Sequence, residues 1–307
     1  MRTLLLTLLL SFSAHAFEIC GTAGSPAPSV IDDLTPAMDA VALMWWSVSP
    51  TQYENAVCKA HDVPDYDAWF GTLGNEGRRD KRIHGFRFED QPKTLLDAFK
   101  DLTKNMEDRQ SSCTNVLCAV DEVFGTPAGR KLLYIRARHG YNSSHLAFQN
   151  TRPLTETELN DILITLSDLP PDMLNIGRGG NQRMAMAAQG VVSSNNPLAS
   201  ADAAITFYDR WRTSPDPFNR RYGLFHEFGH NISEIRGNLD DSSEWRALTS
   251  CQVSTYGNTN NKEDFTESLV MYRFNGRGLQ AKCPEKYAFL KARAFLGREY
   301  LDESQCN

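Results

Sequence analysis

Tyr222-Gly223-Leu224-Phe225-His226-Glu227-Phe228-Gly229-His230-Asn231-Ile232 carries two histidines four residues apart, with a glutamate beside the first. On a helix, expected over Tyr222 to Ile235, that spacing puts both rings on one face, where they can hold one Zn2+ together. Glu227 then lies near the metal without coordinating it, placed to take a proton from a water that attacks a carbonyl. Phe225, Phe228 and Ile232 suit the core side of the same helix. An ordinary amphipathic helix with two surface histidines would show the same letters, and a structural zinc site would take four protein ligands and have no use for the glutamate.

A catalytic zinc of this kind needs a third protein ligand and an open position. His230 is followed by Asn231-Ile232-Ser233-Glu234-Ile235-Arg236, so Ser233 and Arg236 stand where a metzincin has its glycine and third histidine. No Gly-Thr-x-x-Asp string is present either, which leaves a glutamate from a downstream helix. Asn260-Asn261-Lys262-Glu263-Asp264-Phe265-Thr266-Glu267-Ser268-Leu269-Val270-Met271-Tyr272 opens with a capping residue and puts acids in its first turn, as the helix dipole favours. Glu263 and Glu267 share a face, so one can bind metal while the other supports a ligand histidine by a hydrogen bond. Spacing alone does not say which does which.

Three pieces in order, His226 to His230, then Ser254-Thr255-Tyr256-Gly257-Asn258-Thr259-Asn260, then Glu263-Asp264-Phe265-Thr266-Glu267, make this region similar to the glutamate-ligated zincins, the catalytic domain of anthrax lethal factor and its relatives. Leu166-Ser167-Asp168-Leu169-Pro170 and the strand expected around Ile205 also resemble that family's approach to the zinc helix. The resemblance covers Thr155 to Tyr287. It implies that Glu263 is the third zinc ligand, that Glu267 supports a ligand histidine, and that Tyr256 directs its phenol at the oxygen on which negative charge develops. It further implies an α+β fold, a small mixed sheet over the two zinc helices, with an extended substrate added to an edge strand. Ala203 to Arg210 is the expected edge, and a disulfide between Cys251 and Cys283 would brace the glutamate helix.

Residues 17–150 match nothing in that family and are expected to form a mainly helical N-terminal region whose role the sequence does not reveal, ahead of a catalytic domain over residues 151–307. Helical patterns occur at Ala37 to Trp46, Leu95 to Met106 and Val116 to Val123, whereas Lys131-Leu132-Leu133-Tyr134-Ile135-Arg136-Ala137 looks like a strand. Thr155 to Leu166 has helical spacing and is closed by Leu169-Pro170-Pro171. A loop rich in Gly and Asn follows from Asn175 to Asn196.

Met1-Arg2, an apolar run from Leu4 to Leu10 and Ala14-His15-Ala16 read as a secretory signal over residues 1–16, too short to cross a bilayer. All seven cysteines lie beyond it, which suits disulfides in an oxidising compartment and leaves one thiol over. The expected location is secreted or periplasmic. A formal charge of -6 gives no general attraction to nucleic acid or to anionic membrane, and Arg220-Arg221 is expected on a solvated face.

The sequence thus predicts an exported zinc metallopeptidase that takes a peptide or protein substrate, with neither nucleic acid nor membrane as partner after signal cleavage. Zn2+ would be held by His226, His230 and Glu263, with Glu227 and Tyr256 as the catalytic groups. Two rival readings are a zinc amidase acting on a non-protein amide such as a peptidoglycan cross-link, and a secreted binding or toxin-like module that keeps the fold without turnover.

Overall fold

The structure, a computed structural model, describes residues 56–58, 60, 62–75, 80–141, 154–174, 183–186, 198–201, 204–215 and 217–301. The expected signal, the helix expected over Ala37 to Trp46, and most of the segment from Asn175 to Asn196 lie outside them. The described residues are mostly helical with small sheets, compatible with the α+β class. None of their helices is long and apolar enough to cross a membrane.

Local chemistry sets the helix that starts the second half. Thr155 caps Glu156–Ser167 with a reciprocal pair: Glu158 N–H donates to Thr155 Oγ1 at 3.3 Å and Thr155 N–H donates to Glu158 Oε2 at 2.7 Å. Leu159, Ile162, Leu163 and Leu166 are buried on it. Glu158 and Asp161 on it and Asp168 just after it are buried as well, and each meets an arginine from elsewhere. Arg212 Nε donates to Glu158 at 3.3 Å, Arg220 and Arg221 Nε donate to the two oxygens of Asp161 at 2.6 and 2.9 Å, and Arg273 Nε donates to Asp168 at 2.8 Å. Arg220-Arg221 is therefore no solvated face. Arg220 is buried because Asp161 neutralises it, a long-range pairing that local composition does not encode.

Those arginines fix the two helices that follow. Arg220 and Arg221 lie near the start of the helix Pro217–Ile235, which begins five residues ahead of the expected Tyr222 because Pro217 suits a first helical position. Phe225, Phe228 and Ile232 are buried on it, as the spacing predicts. It stops at Gly237, whose φ of 92° is a left-handed conformation that closes the helix, with Asn238 N–H donating to Ser233 O at 2.8 Å. Arg273 lies in the last turn of the second helix, Asn261–Phe274. Asn260 caps that helix by accepting from the N–H groups of Lys262 and Glu263 at 2.9 and 3.1 Å.

The two helices cross at Gly229. A Cβ there would lie 3.0 Å from Thr266 Cγ2 and 3.3 Å from Thr266 Cα, so glycine lets the helices approach without Thr266 having to give way. On the far side, Lys286 is fully buried, paired with Asp264 and placed 5.2 Å from the centre of the Trp245 ring. Cys251 and Cys283 are joined in a disulfide, which ties the segment before the second helix to the short helices after it; Cys113 and Cys118 form another.

Strands β1 (Ala56–Cys58), β2 (Lys81–Ile83), β3 (Phe86–Phe88), β4 (Arg183–Met186), β5 (Leu198–Ala201), β6 (Ala204–Phe207) and β7 (Glu299–Leu301) make three small sheets. In the mixed one, β6 is central, parallel to β4 and antiparallel to β5, and β5 lies against the helix Pro217–Ile235. The expectation that Ala203 to Arg210 forms a free edge is corrected here. Both edges of β6 already carry a neighbouring strand, and from Asp209 the chain turns into a short helix.

The expected strand Lys131 to Ala137 is also corrected: it lies within the helix Ala128–His139, closed by Gly140 with φ of 77°. Only Ile135 in that run is β-branched, and basic residues in the last turn suit a helix C-terminus. Side chains from both halves meet in one buried apolar cluster, where Tyr141 packs on Phe228 at 5.3 Å between ring centres. β1 pairs in parallel with β7 across the same divide.

Removing one partner from a buried ion pair leaves an uncompensated charge, which typically costs about 3–5 kcal/mol. Asp161, which holds two arginines, should show this most clearly. Asp161→Ala is expected to lose stability on that scale in urea denaturation, and a loss below about 1 kcal/mol would mean that the arginines find other partners.

Candidate metal and catalytic site

Glu267 settles the geometry from behind. It lies in the middle of the second helix, 1% exposed, and accepts hydrogen bonds from three side chains. His226 Nδ1 donates to its Oε1 at 2.9 Å, the Tyr222 hydroxyl donates to the same oxygen, and the Ser254 hydroxyl donates to Oε2 at 2.6 Å. With Nδ1 held from the rear, the other ring nitrogen of His226 faces forward. There Nε2 donates to Glu263 Oε2 at 2.9 Å, and Thr266 Oγ1 lies 3.2 Å away. His230, one turn on, brings its Nε2 within 3.7 Å of the same Glu263 oxygen.

Ligand atoms of His226, His230 and Glu263 all lie within 4.8 Å of one another, so these three could hold a metal ion. Spacing left Glu263 and Glu267 equivalent; the structure separates them, with Glu263 in front of His226 and Glu267 behind it. Two imidazole nitrogens and one carboxylate oxygen are a donor set that suits Zn2+ with an open fourth position. The His226 side chain is 5% exposed, whereas those of His230 and Glu263 are 18% and 17% exposed. The group is thus closed behind and open in front, where a reacting molecule would enter.

Charge follows from these contacts. Burial alone would lower the His226 pKa, but the hydrogen bonds to Glu263 and Glu267 outweigh it and raise the ring to about 10. Burial lowers His230 to about 4, helped by the charge on His226, so its ring is neutral at physiological pH. The Tyr256 phenol is pushed well above its usual range by burial and by the charge of Glu263, to which it is hydrogen-bonded. It therefore stays protonated and available as a donor. Its ring centre lies 5.7 Å from that of His226. Glu227 is buried, 1% exposed, and its negative charge is felt at both His226 and Tyr256.

Sequence reasoning singled out His226, Glu227, His230, Tyr256, Glu263 and Glu267, and all six lie in this one region. It missed Tyr222, Ser254 and Thr266. Tyr222 had a usable signal, since it precedes His226 by one helical turn and so shares its face. Ser254 stands two residues before Tyr256 with nothing in its own type to mark it. No protein-family model, no curated protein and no solved structure matches the chain.

A metal ion that takes His226 Nε2 must displace the proton now shared with Glu263, and a ligand nitrogen has to be deprotonated to bind. His226 holds that proton below about pH 10, while His230 is already neutral above about pH 4. Between these values each bound divalent metal ion, tested with Zn2+, should therefore release about one proton, and the affinity should rise about tenfold per pH unit. Titration calorimetry at pH 7.5 in buffers of different ionisation enthalpy measures the proton count; a count near zero would contradict the bridged His226.

Proposed function

We propose that the chain is a zinc-dependent metallopeptidase of the glutamate-ligated zincin type, exported from the cell, that hydrolyses peptide bonds. The observation that carries this reading is the convergence of His226, His230 and Glu263 beside a buried acid, Glu227, which lies between the two histidines on their helix, with a protonated phenol, Tyr256, at the rim. A structural zinc site would have no need of either of the last two groups. The two disulfides among the described residues suit an oxidising compartment, and the order of the motifs along the chain resembles that of anthrax lethal factor and its relatives.

His226, His230 and Glu263 would hold the zinc, which supplies Lewis acidity and brings the pKa of water close to neutrality. Glu227 takes a proton from the attacking water and returns it to the departing amine. Tyr256 donates its phenolic hydrogen bond to the carbonyl oxygen as negative charge grows there. Glu267 keeps the Nδ1–H of His226 pointing backward, so that Nε2 presents its lone pair to the metal. Since β6 is paired on both sides, an extended peptide that adds to the mixed sheet would have to use β4 or β5.

Glu227→Gln keeps the shape and removes the base. It should bind one zinc per chain like the wild type and lose about 10²- to 10⁴-fold in kcat. Metal analysis together with mass-spectrometric digestion of a peptide library checks both halves. Zinc bound without cleavage by the wild type would shift the assignment to a non-protein amide such as a peptidoglycan cross-link, or to a non-catalytic module. No zinc bound would end the reading.

A further inference from the structure

We infer that Ser254 is a positioning residue whose single hydroxyl couples the loop bearing Tyr256 to the buried carboxylate behind His226. The inference rests on the metallopeptidase reading of the site and concerns a residue with no contact to the proposed metal ligands themselves.

The directions of the two bonds follow from the chemistry of the partners. Glu267, as a carboxylate, only accepts, and a backbone N–H only donates. Ser254 Oγ therefore gives its one proton to Glu267 Oε2 at 2.6 Å and offers a lone pair to Gly257 N–H at 2.9 Å. One orientation of one hydroxyl satisfies both, and Ser254 is 1% exposed. The Gly257 N–H belongs to the peptide unit that carries the Tyr256 carbonyl, so fixing it fixes the backbone from which the phenol projects. The loop also lies flat on the second helix: a Cβ at Gly257 would come 3.3 Å from Glu267 Cβ and 3.4 Å from Asp264 Cα. The same hydroxyl thus registers two functions that enter from opposite sides, the orientation of the His226 ring through Glu267 and the placement of the Tyr256 phenol through Gly257.

Loss of the hydroxyl strips one donor from Glu267 and leaves a buried N–H without its acceptor. Removing a hydrogen-bonding partner behind a metal ligand typically lowers metal affinity by about 10- to 100-fold, and since Ser254 stands one hydrogen bond further out, the low end of that range is expected. Ser254→Ala should show that fall in zinc affinity by chelator competition, with kcat reduced and KM little changed. A residue that served only stability would lower the melting temperature and leave those readouts alone. The path through Tyr256 is separately visible: the cost of Ser254→Ala in kcat should be clearly smaller in a Tyr256→Phe background than in the wild type, because the phenol it places is already gone.

The amide of Gly257 gives a readout that needs neither zinc nor turnover. In the metal-free wild type it should be protected from hydrogen exchange, and in Ser254→Ala it should exchange much faster. An unprotected Gly257 amide in the wild type overturns the inference even if the variant does not fold. Wild-type zinc affinity in Ser254→Ala, or strict additivity with Tyr256→Phe, overturns it as well. A wild-type chain that binds no zinc sinks the metallopeptidase reading instead, while the Gly257 comparison still decides whether Ser254 holds the loop.

Discussion

Gly229 and Thr266 meet where the helices Pro217–Ile235 and Asn261–Phe274 cross, so closely that a methyl group at Gly229 would fit only if Thr266 gave way by a few tenths of an ångström. The contacts that run directly between the two helices lie on either side of that crossing. His226 and His230 flank Gly229 on one helix, and Glu263 and Glu267 flank Thr266 on the other. With the backbones this close, short-range partners can meet across the gap: Nδ1 with Glu267 and Nε2 with Glu263, each at 2.9 Å. A side chain at Gly229 would press on Thr266, which sits between Glu263 and Glu267 on its helix. The glycine inside the His-Glu-x-x-His pattern has a packing role that the pattern, which leaves that position open, does not express.

The approach is held by charge as well as by apolar packing. The helix Glu156–Ser167 sends Asp161 to the start of the histidine helix, and the adjoining Asp168 reaches Arg273 near the end of the glutamate helix. Lys286 grips Asp264, the residue next to Glu263. Buried pairs of this sort add little net stability compared with apolar side chains of similar size, because removing the charges from water is costly. Their effect here is geometric. A charge without its partner is so unfavourable in the interior that each pair admits few arrangements, and the two site helices are pinned at their ends and beside the candidate ligand.

Local signals carried much of this into the sequence, and contacts between distant segments carried the rest. Thr155 and Glu158 announce one helix start, Asn260 with its acids another, and Phe225, Phe228 and Ile232 mark a core face by spacing alone. Lys131 to Ala137 misleads because a short apolar run fits strand and helix equally, and the helix is decided by what lies outside it, including Gly140. Arg220 looks like a surface residue until Asp161, far away in the chain, is placed beside it. The central position of β6 depends on β4, a strand inside what reads as a Gly- and Asn-rich loop. Tyr222 and Ser254 show the same limit at the candidate site. Their value comes from a shared partner, Glu267, and sharing is a property of three-dimensional arrangement.

That shared carboxylate also explains why the two acids on one helix face are not interchangeable. Glu267 is buried and saturated by Tyr222, His226 and Ser254, so its charge is balanced by fixed donors whether or not a cation is present. Glu263 is partly exposed and meets His226, His230 and Tyr256 on the side away from Glu267. A proton on Nε2 can satisfy Glu263, and so can a metal ion, whereas the Nδ1–H is kept by Glu267 in either case. The imidazole is thereby committed to one tautomer when it gives up a proton, and the lone pair it exposes faces His230 and Glu263. The carboxylate behind the ring fixes the direction of binding; the one in front is left free to take part in it.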